Sequence, residues 1–273
     1  SFVVWSTTIG AVIGPNLFQP GAALGSALGI PPNSGPFVIA LAAQLAAAAV
    51  ILIALRPDPL IVARELAVEH RKEEVRVEIS PEEAARRRTT LVLTIATLGL
   101  AHAVMVAVMS MSPVHLKEHG STLALVGFVI SLHIAGMYAL SPLFGWLSDR
   151  TSRLFVMVIG YVIFAASVVL VALWPLDHLA IGIALTGLGL GWSAATVAGS
   201  ALVADLSKGP GRVRIQGRTD MTMSLSGAVA GALAGPALAA LGYAGLGIAA
   251  GGLVIAMFAI AAVLKVRLGR PAL

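Results

Sequence analysis

The sequence predicts an all-α fold, a polytopic bundle of transmembrane helices, on three observations. Of 273 residues, 58% are apolar and 11% charged, with a mean hydropathy of +0.93; soluble domains run at roughly 45–50% and ~25%. The apolar residues fall in continuous runs of about 20, the length that crosses ~30 Å of hydrocarbon at 1.5 Å per residue. The runs show no two-residue alternation, which excludes an outer-membrane barrel. The same composition excludes intrinsic disorder, and the absence of cysteine excludes a disulfide scaffold.

Eight such runs are legible, near 2–24, 36–55, 90–112, 122–145, 154–173, 179–203, 221–241 and 243–264. The first pair is separated by Pro31, Pro32, Asn33, Ser34, Gly35 and Pro36, a cluster that breaks both helix and strand. Residues 56–89 are the one long polar stretch, read as a solvated amphipathic linker. Within it, Ser80, Pro81 and Glu83 supply an N-cap, a first-turn proline and a capping-box acid. The helix they start is expected to carry Arg86, Arg87 and Arg88 into the third run. Trp174 to Asp177 divide the fifth run from the sixth, and Gly242 with Tyr243 leaves only a tight hairpin between the last two.

The net charge is +5 and the sequence pI ≈ 10.1. Setting both termini and the 56–89 linker on one side collects every Lys and Arg there except Lys117. Cytoplasmic loops hold such an excess, so the expectation is a plasma or inner membrane protein with both ends of this segment cytoplasmic. The basicity is then a topology signal, and no nucleic-acid partner is implied.

Gly10, Gly14 and Pro15 read G-x-x-x-G-P, and Gly227, Gly231, Gly235 and Pro236 repeat the spacing six helices later. Small residues four apart let helix backbones approach in lipid, and the echo suggests a six-helix structural repeat. After the fourth run comes Gly145-Trp-Leu-Ser-Asp149-Arg150-Thr-Ser-Arg153. This resembles the loop motif of the major facilitator superfamily, with Ser152 in place of the usual glycine. The resemblance implies helices five to twelve of a twelve-helix transporter, the first four being missing. Residues 1–55 are then the last two helices of the N-terminal half, 56–89 the cytoplasmic central linker, and 90–273 the C-terminal half. It also implies a monomer when complete, a gating role for Asp149 against the start of the first run, and support from Arg150 and Arg153. With half the cavity absent, this segment alone is expected to be inactive.

A carrier needs groups inside the membrane to hold its solute. All thirteen acids lie in loops or at segment ends, and His102 and His133 are the ionisable residues well inside, roughly 15–17 Å deep by helical rise. Met105 and Met109 share a helix face near His102, as Met137 does with His133. Thioether and imidazole suit Cu(I) and ill suit Mg(II) or Ca(II), but methionine also fills gaps between helices. The pair M-x-x-x-M and H-x-x-x-M resembles the signature of the CcoA-like copper importers, a branch that also includes riboflavin carriers. That resemblance implies Met105, Met109, His133 and Met137 as copper contacts, copper being cargo and no cofactor being expected. His102 stands outside the signature, as a second ligand or a proton-linked group on the same pathway. Met111, His115 and His119 fall at the outer mouth, as metal collectors or simple loop residues.

Three functions remain open: a copper importer; a facilitator for an organic solute, riboflavin-like or a drug exchanged for protons; and a non-transporting membrane sensor. An enzyme is not expected, since no H-E-x-x-H, phosphate loop or nucleophile motif occurs. The partners expected are the lipid bilayer and a small solute or copper ion.

Overall fold

The computed structural model describes residue 10 and residues 13–58, 61–62, 80–207 and 211–269. Among these there is no strand. The elements are α1 (Phe18–Ala27), entered through a 3-10 turn at Gly14–Leu17, α2 (Gly35–Ala54), α3 (Pro81–Glu118), α4 (Leu123–Tyr138), α5 (Ser141–Arg150), α6 (Arg153–Leu173), α7 (His178–Leu206) and α8 (Arg212–Leu268). They divide into two compact units, residues 17–81 and residues 1–16 with 82–273.

In the smaller unit, α1 and α2 form a hairpin held by glycine. A Cβ on Gly21 would lie 2.7 Å from Pro36 N, and one on Gly35 would lie 1.8 Å from Gly21 O. Beyond that seam α2 is exposed along its length, with Phe37, Leu45 and Ile53 open. That is how a helix looks when its surroundings are hydrocarbon and not water.

The larger unit is built around α7. Three helix starts there are capped by side chains: Thr122 Oγ1 accepts from Leu125 N, Ser152 Oγ from Phe155 N, and Asp177 Oδ1 from Leu179 N and Ala180 N. These side chains satisfy amide donors that the first helical turn leaves unpaired. α3 begins at Pro81 with Glu82 and Glu83 in its first turn and runs 38 residues without interruption. The polar linker therefore ends inside a helix that carries the arginines into the span, as expected.

The fourth run is two helices. α4 ends at Tyr138, Ala139 and Leu140 intervene, and Pro142 sits in the first turn of α5; a proline can neither donate to the preceding turn nor clear its carbonyl. α8 looks like a single helix of 57 residues, which at 1.5 Å per residue would be about 85 Å long. It reverses at Gly242, whose φ of 70° and ψ of 178° are non-helical. Residues 212–241 climb alongside α3, with Gly227 against His102 and Gly231 against Val106. Residues 243–268 come back along α6, with Gly247 against Val171 and Phe258 edge-on to Tyr161.

With α4 and α5 taken together as one span, Leu123–Arg150, six helical segments are long and apolar enough to cross a membrane among the described residues, the last of them twice. Only α1 and its approach represent the first run, most of whose N-terminal part lies outside the described residues. The core at the centre is tight. A Cβ on Gly191 would be 2.9 Å from Gly160 O, and one on Gly189 would be 2.2 Å from His133 O. α7 thus touches α6 and α4 backbone to backbone, the contact that packing-driven association in lipid favours.

Candidate functional site

Backbone contact between α4 and α7 determines where His133 points. With Gly189 against its carbonyl, the ring of His133 is fully buried and its Nδ1 lies 2.7 Å from Leu185 O on α7. A carbonyl oxygen only accepts, so Nδ1 carries the hydrogen and Nε2 of the neutral ring presents a lone pair. Nε2 is buried and has no hydrogen-bond partner among the described residues. One turn on, Met137 is buried, and Met105 of α3 belongs to the same core; Met109 packs half-buried against it. Met105 and Met137 are both members of the buried core that runs through the larger unit, and His133 stands one turn before Met137 on α4.

His102 is held elsewhere. Its Nδ1 accepts from Trp192 Nε1 at 3.1 Å; an indole N–H is a donor only, so the hydrogen of His102 is on Nε2. The ring fits against Gly227 of α8, where a Cβ would come within 2.6 Å of His102 Cδ2. Tyr138 closes the group, edge-on to Trp192 with centroids 6.0 Å apart. Trp192 and Tyr138 had no motif to mark them. The one sequence signal was an aromatic pair inside spans of a chain that is only 5% aromatic.

The loop motif forms a charge cluster. Arg153 pairs with Asp149 one turn earlier, with Asp205 at the end of α7 at 3.2 Å, and with Ser148 Oγ at 3.1 Å. Arg150 lies over the Trp146 ring at 4.7 Å, and Gly145 faces Val197. Asp205 is the addition that spacing alone did not reveal. The expected partner of Asp149, the start of the first run, lies outside the described residues.

Within the glycine–proline echo, a Cβ on Gly10, Gly14 or Gly235 meets no described atom within 4 Å, and one on Gly231 makes an ordinary 3.4 Å contact with Val106. The tight approach belongs to Gly227. Pro236 stays within the helix. At Pro15 the chain is in the 3-10 turn; its carbonyl packs near Gly127 of α4, and Asn16 Nδ2 donates to Ser131 Oγ at 2.7 Å.

At the opposite end from the arginines, Ser112 Oγ and Tyr243 Oη are 2.7 Å apart, and the His115 ring is stacked on Tyr243. His119 follows one turn later and Met111 one turn earlier. No group of three or more His, Asp or Glu able to hold a metal occurs among the described residues.

A profile of the Major Facilitator Superfamily matches residues 91–272. Two uncharacterized MFS-type transporters of Bacillus subtilis are similar. YddS is 38% identical over 245 residues, 89% of this chain and 56% of that protein. YdeG is 35% identical over 246 residues, 90% of this chain and 57% of that protein. The chain thus spans little more than half the length of these relatives. The riboflavin transporter RfnT of Brucella anthropi is 29% identical over 157 residues, 58% of this chain and 39% of that protein.

Proposed function

The chain belongs to the major facilitator superfamily, and from that premise we propose that it serves the inward movement of copper, as Cu(I), across the membrane. The observation that carries this reading is His133. Its imidazole is fixed through Nδ1–H to a backbone carbonyl, and its Nε2 lone pair is buried and unpartnered. Metal-ligating histidines are commonly anchored in this way through the other ring nitrogen. A buried polar atom with no partner is costly unless something occupies it. The thioethers of Met105, Met109 and Met137 supply soft, uncharged donors in the same core, so an ion of single charge sheds water without meeting a carboxylate that would retain it. Transport then follows from the two halves of a complete transporter rocking about the mid-membrane site. The cluster of Arg153 with Asp149 and Asp205 is the cytoplasmic clamp of that motion in this reading.

A second reading, a facilitator for an organic solute, has its own observation. His102, Trp192 and Tyr138 form an uncharged, half-buried aromatic group at comparable depth, suited to a planar heteroaromatic. Similarity to a riboflavin transporter supports it.

The experiment is copper accumulation in copper-starved cells making the complete transporter, with Met105→Leu and His133→Leu beside the unaltered protein. Leucine is close to methionine in volume and polarity, so Met105→Leu is expected to reach the membrane at normal levels. Accumulation is expected to fall at least about tenfold in each variant, the scale on which altered metal ligation acts. Normal accumulation in both, with riboflavin uptake abolished by Trp192→Ala, would overturn the copper reading in favour of the second.

A further inference from the structure

We propose that Met111, His115 and His119 form a second soft-cation site, at the end of the bundle opposite the arginines, where Cu(I) is taken up before it reaches the core. This inference rests on the copper reading. Met111 and His115 stand one turn apart near the end of α3, and His119 follows in the turn directly after it, its N–H still bonded to His115 O at 3.1 Å. Both imidazoles have one nitrogen committed to a carbonyl, which fixes where the other points. His115 Nε2 is 2.6 Å from Pro175 O, and His119 Nδ1 is 2.8 Å from His115 O. Since carbonyls only accept, each of these nitrogens carries the hydrogen. In the neutral rings, Nδ1 of His115 and Nε2 of His119 therefore keep their lone pairs.

Two further features suit a ligand. The His115 ring cannot swing, because it is stacked at 4.2 Å and 9° on Tyr243, itself tied to Ser112. His119 lies beside it, ring centroids 4.2 Å apart, and is exposed, so one donor is rigid and the other reaches into solvent. Both line a cavity of ≈ 630 Å³, together with Met111, Glu118, Pro175 and Tyr243. The chemistry selects the ion. Hard divalent cations need several oxygen ligands, and no three His, Asp or Glu converge among the described residues. Two imidazoles and a thioether match a soft ion content with few ligands, which is Cu(I).

The test uses the complete transporter and Cu(I) held at defined free concentration by a competing chelator. The variants are His119→Leu with Met111→Leu, and separately His133→Leu. His115 is left alone, because it also holds Tyr243 and Pro175. The double variant is expected to bind one Cu(I) fewer than the unaltered protein. It should need at least about tenfold more Cu(I) for half-maximal uptake, as for a weakened metal site, with the maximal rate unchanged. His133→Leu is expected to retain the outer ion and lose the maximal rate. An unchanged number of bound ions in the double variant overturns the outer site and leaves the core reading intact. No copper uptake by the unaltered transporter overturns the copper reading, and with it this site.

Discussion

At the scale of single residues, Gly227 determines the position of His102, and through it Trp192. The His102 ring occupies the volume a side chain at 227 would need, with Cδ2 at 2.6 Å and Nε2 at 3.0 Å from the missing Cβ. Gly227→Ala is therefore expected to push the ring aside, break the Trp192 Nε1–His102 hydrogen bond and destabilise the protein by roughly 1–3 kcal/mol, the usual penalty of overpacking. In a His102→Ala background the same glycine change should cost far less, because the ring that is struck is gone. Thermal unfolding of the four proteins in detergent measures the coupling, and additive losses would mean that Gly227 acts through some other neighbour. The glycine was visible in the sequence as one member of a spacing pattern. Its partner was not, because His102 lies on a different span and nothing in a G-x-x-x-G run says which glycine faces which helix.

The elements were legible wherever polar chemistry punctuates the chain. The Ser80–Pro81–Glu83 start, the break at Trp174–Asp177 and the Gly242–Tyr243 hairpin were all readable, because a helix end must satisfy its free amides or reverse direction by some chemical means. The break between α4 and α5 was not, although Pro142 stands beside it, since a proline inside an apolar run bends some helices and opens others. The hairpin allows a sharp test. Gly242 has φ 70° and ψ 178° and open space around its absent side chain, so substitution there strains the backbone without any clash. Gly235 has equally open space but helical geometry. Gly242→Ala is expected to lower stability by about 1–3 kcal/mol, the cost of a region reserved for glycine, while Gly235→Ala should be neutral or slightly stabilising through helix propensity. Equal effects of the two in thermal unfolding would show that the reversal at 242 is set by packing and not by the dihedral.

For the molecule as a whole, composition and run length were enough to give the class, but not the faces. In lipid both sides of a helix are apolar, so periodicity does not distinguish core from exterior: on α3, Val104 is fully buried while Val92 is 57% exposed. For the same reason the burial of Met105 and the fixed orientation of His133 had to come from the structure. Charge is the exception, since it marks an end instead of a face. Within the larger unit, Arg87 reaches Leu206 O, Arg153 reaches Asp205, and Arg267 lines a cavity with Glu82 and Arg86, so cations distant in sequence gather at one end of the bundle. Lys117 is at the other end, two residues after His115, which lines a cavity with Gly242. If that asymmetry sets orientation as it does for short loops, the arginine end is cytoplasmic and Met111, His115 and His119 face outward, as copper import requires. These 273 residues hold no cysteine, so single substitutions report this without background once any cysteine elsewhere in the complete transporter is replaced by serine. A membrane-impermeant maleimide is expected to label Lys117→Cys of the complete transporter in intact cells, and Arg214→Cys only after the membrane is opened. Labelling in the reverse order would put the histidine pair on the cytoplasmic side, where it could release copper but not collect it, and the direction assigned to transport would have to be inverted.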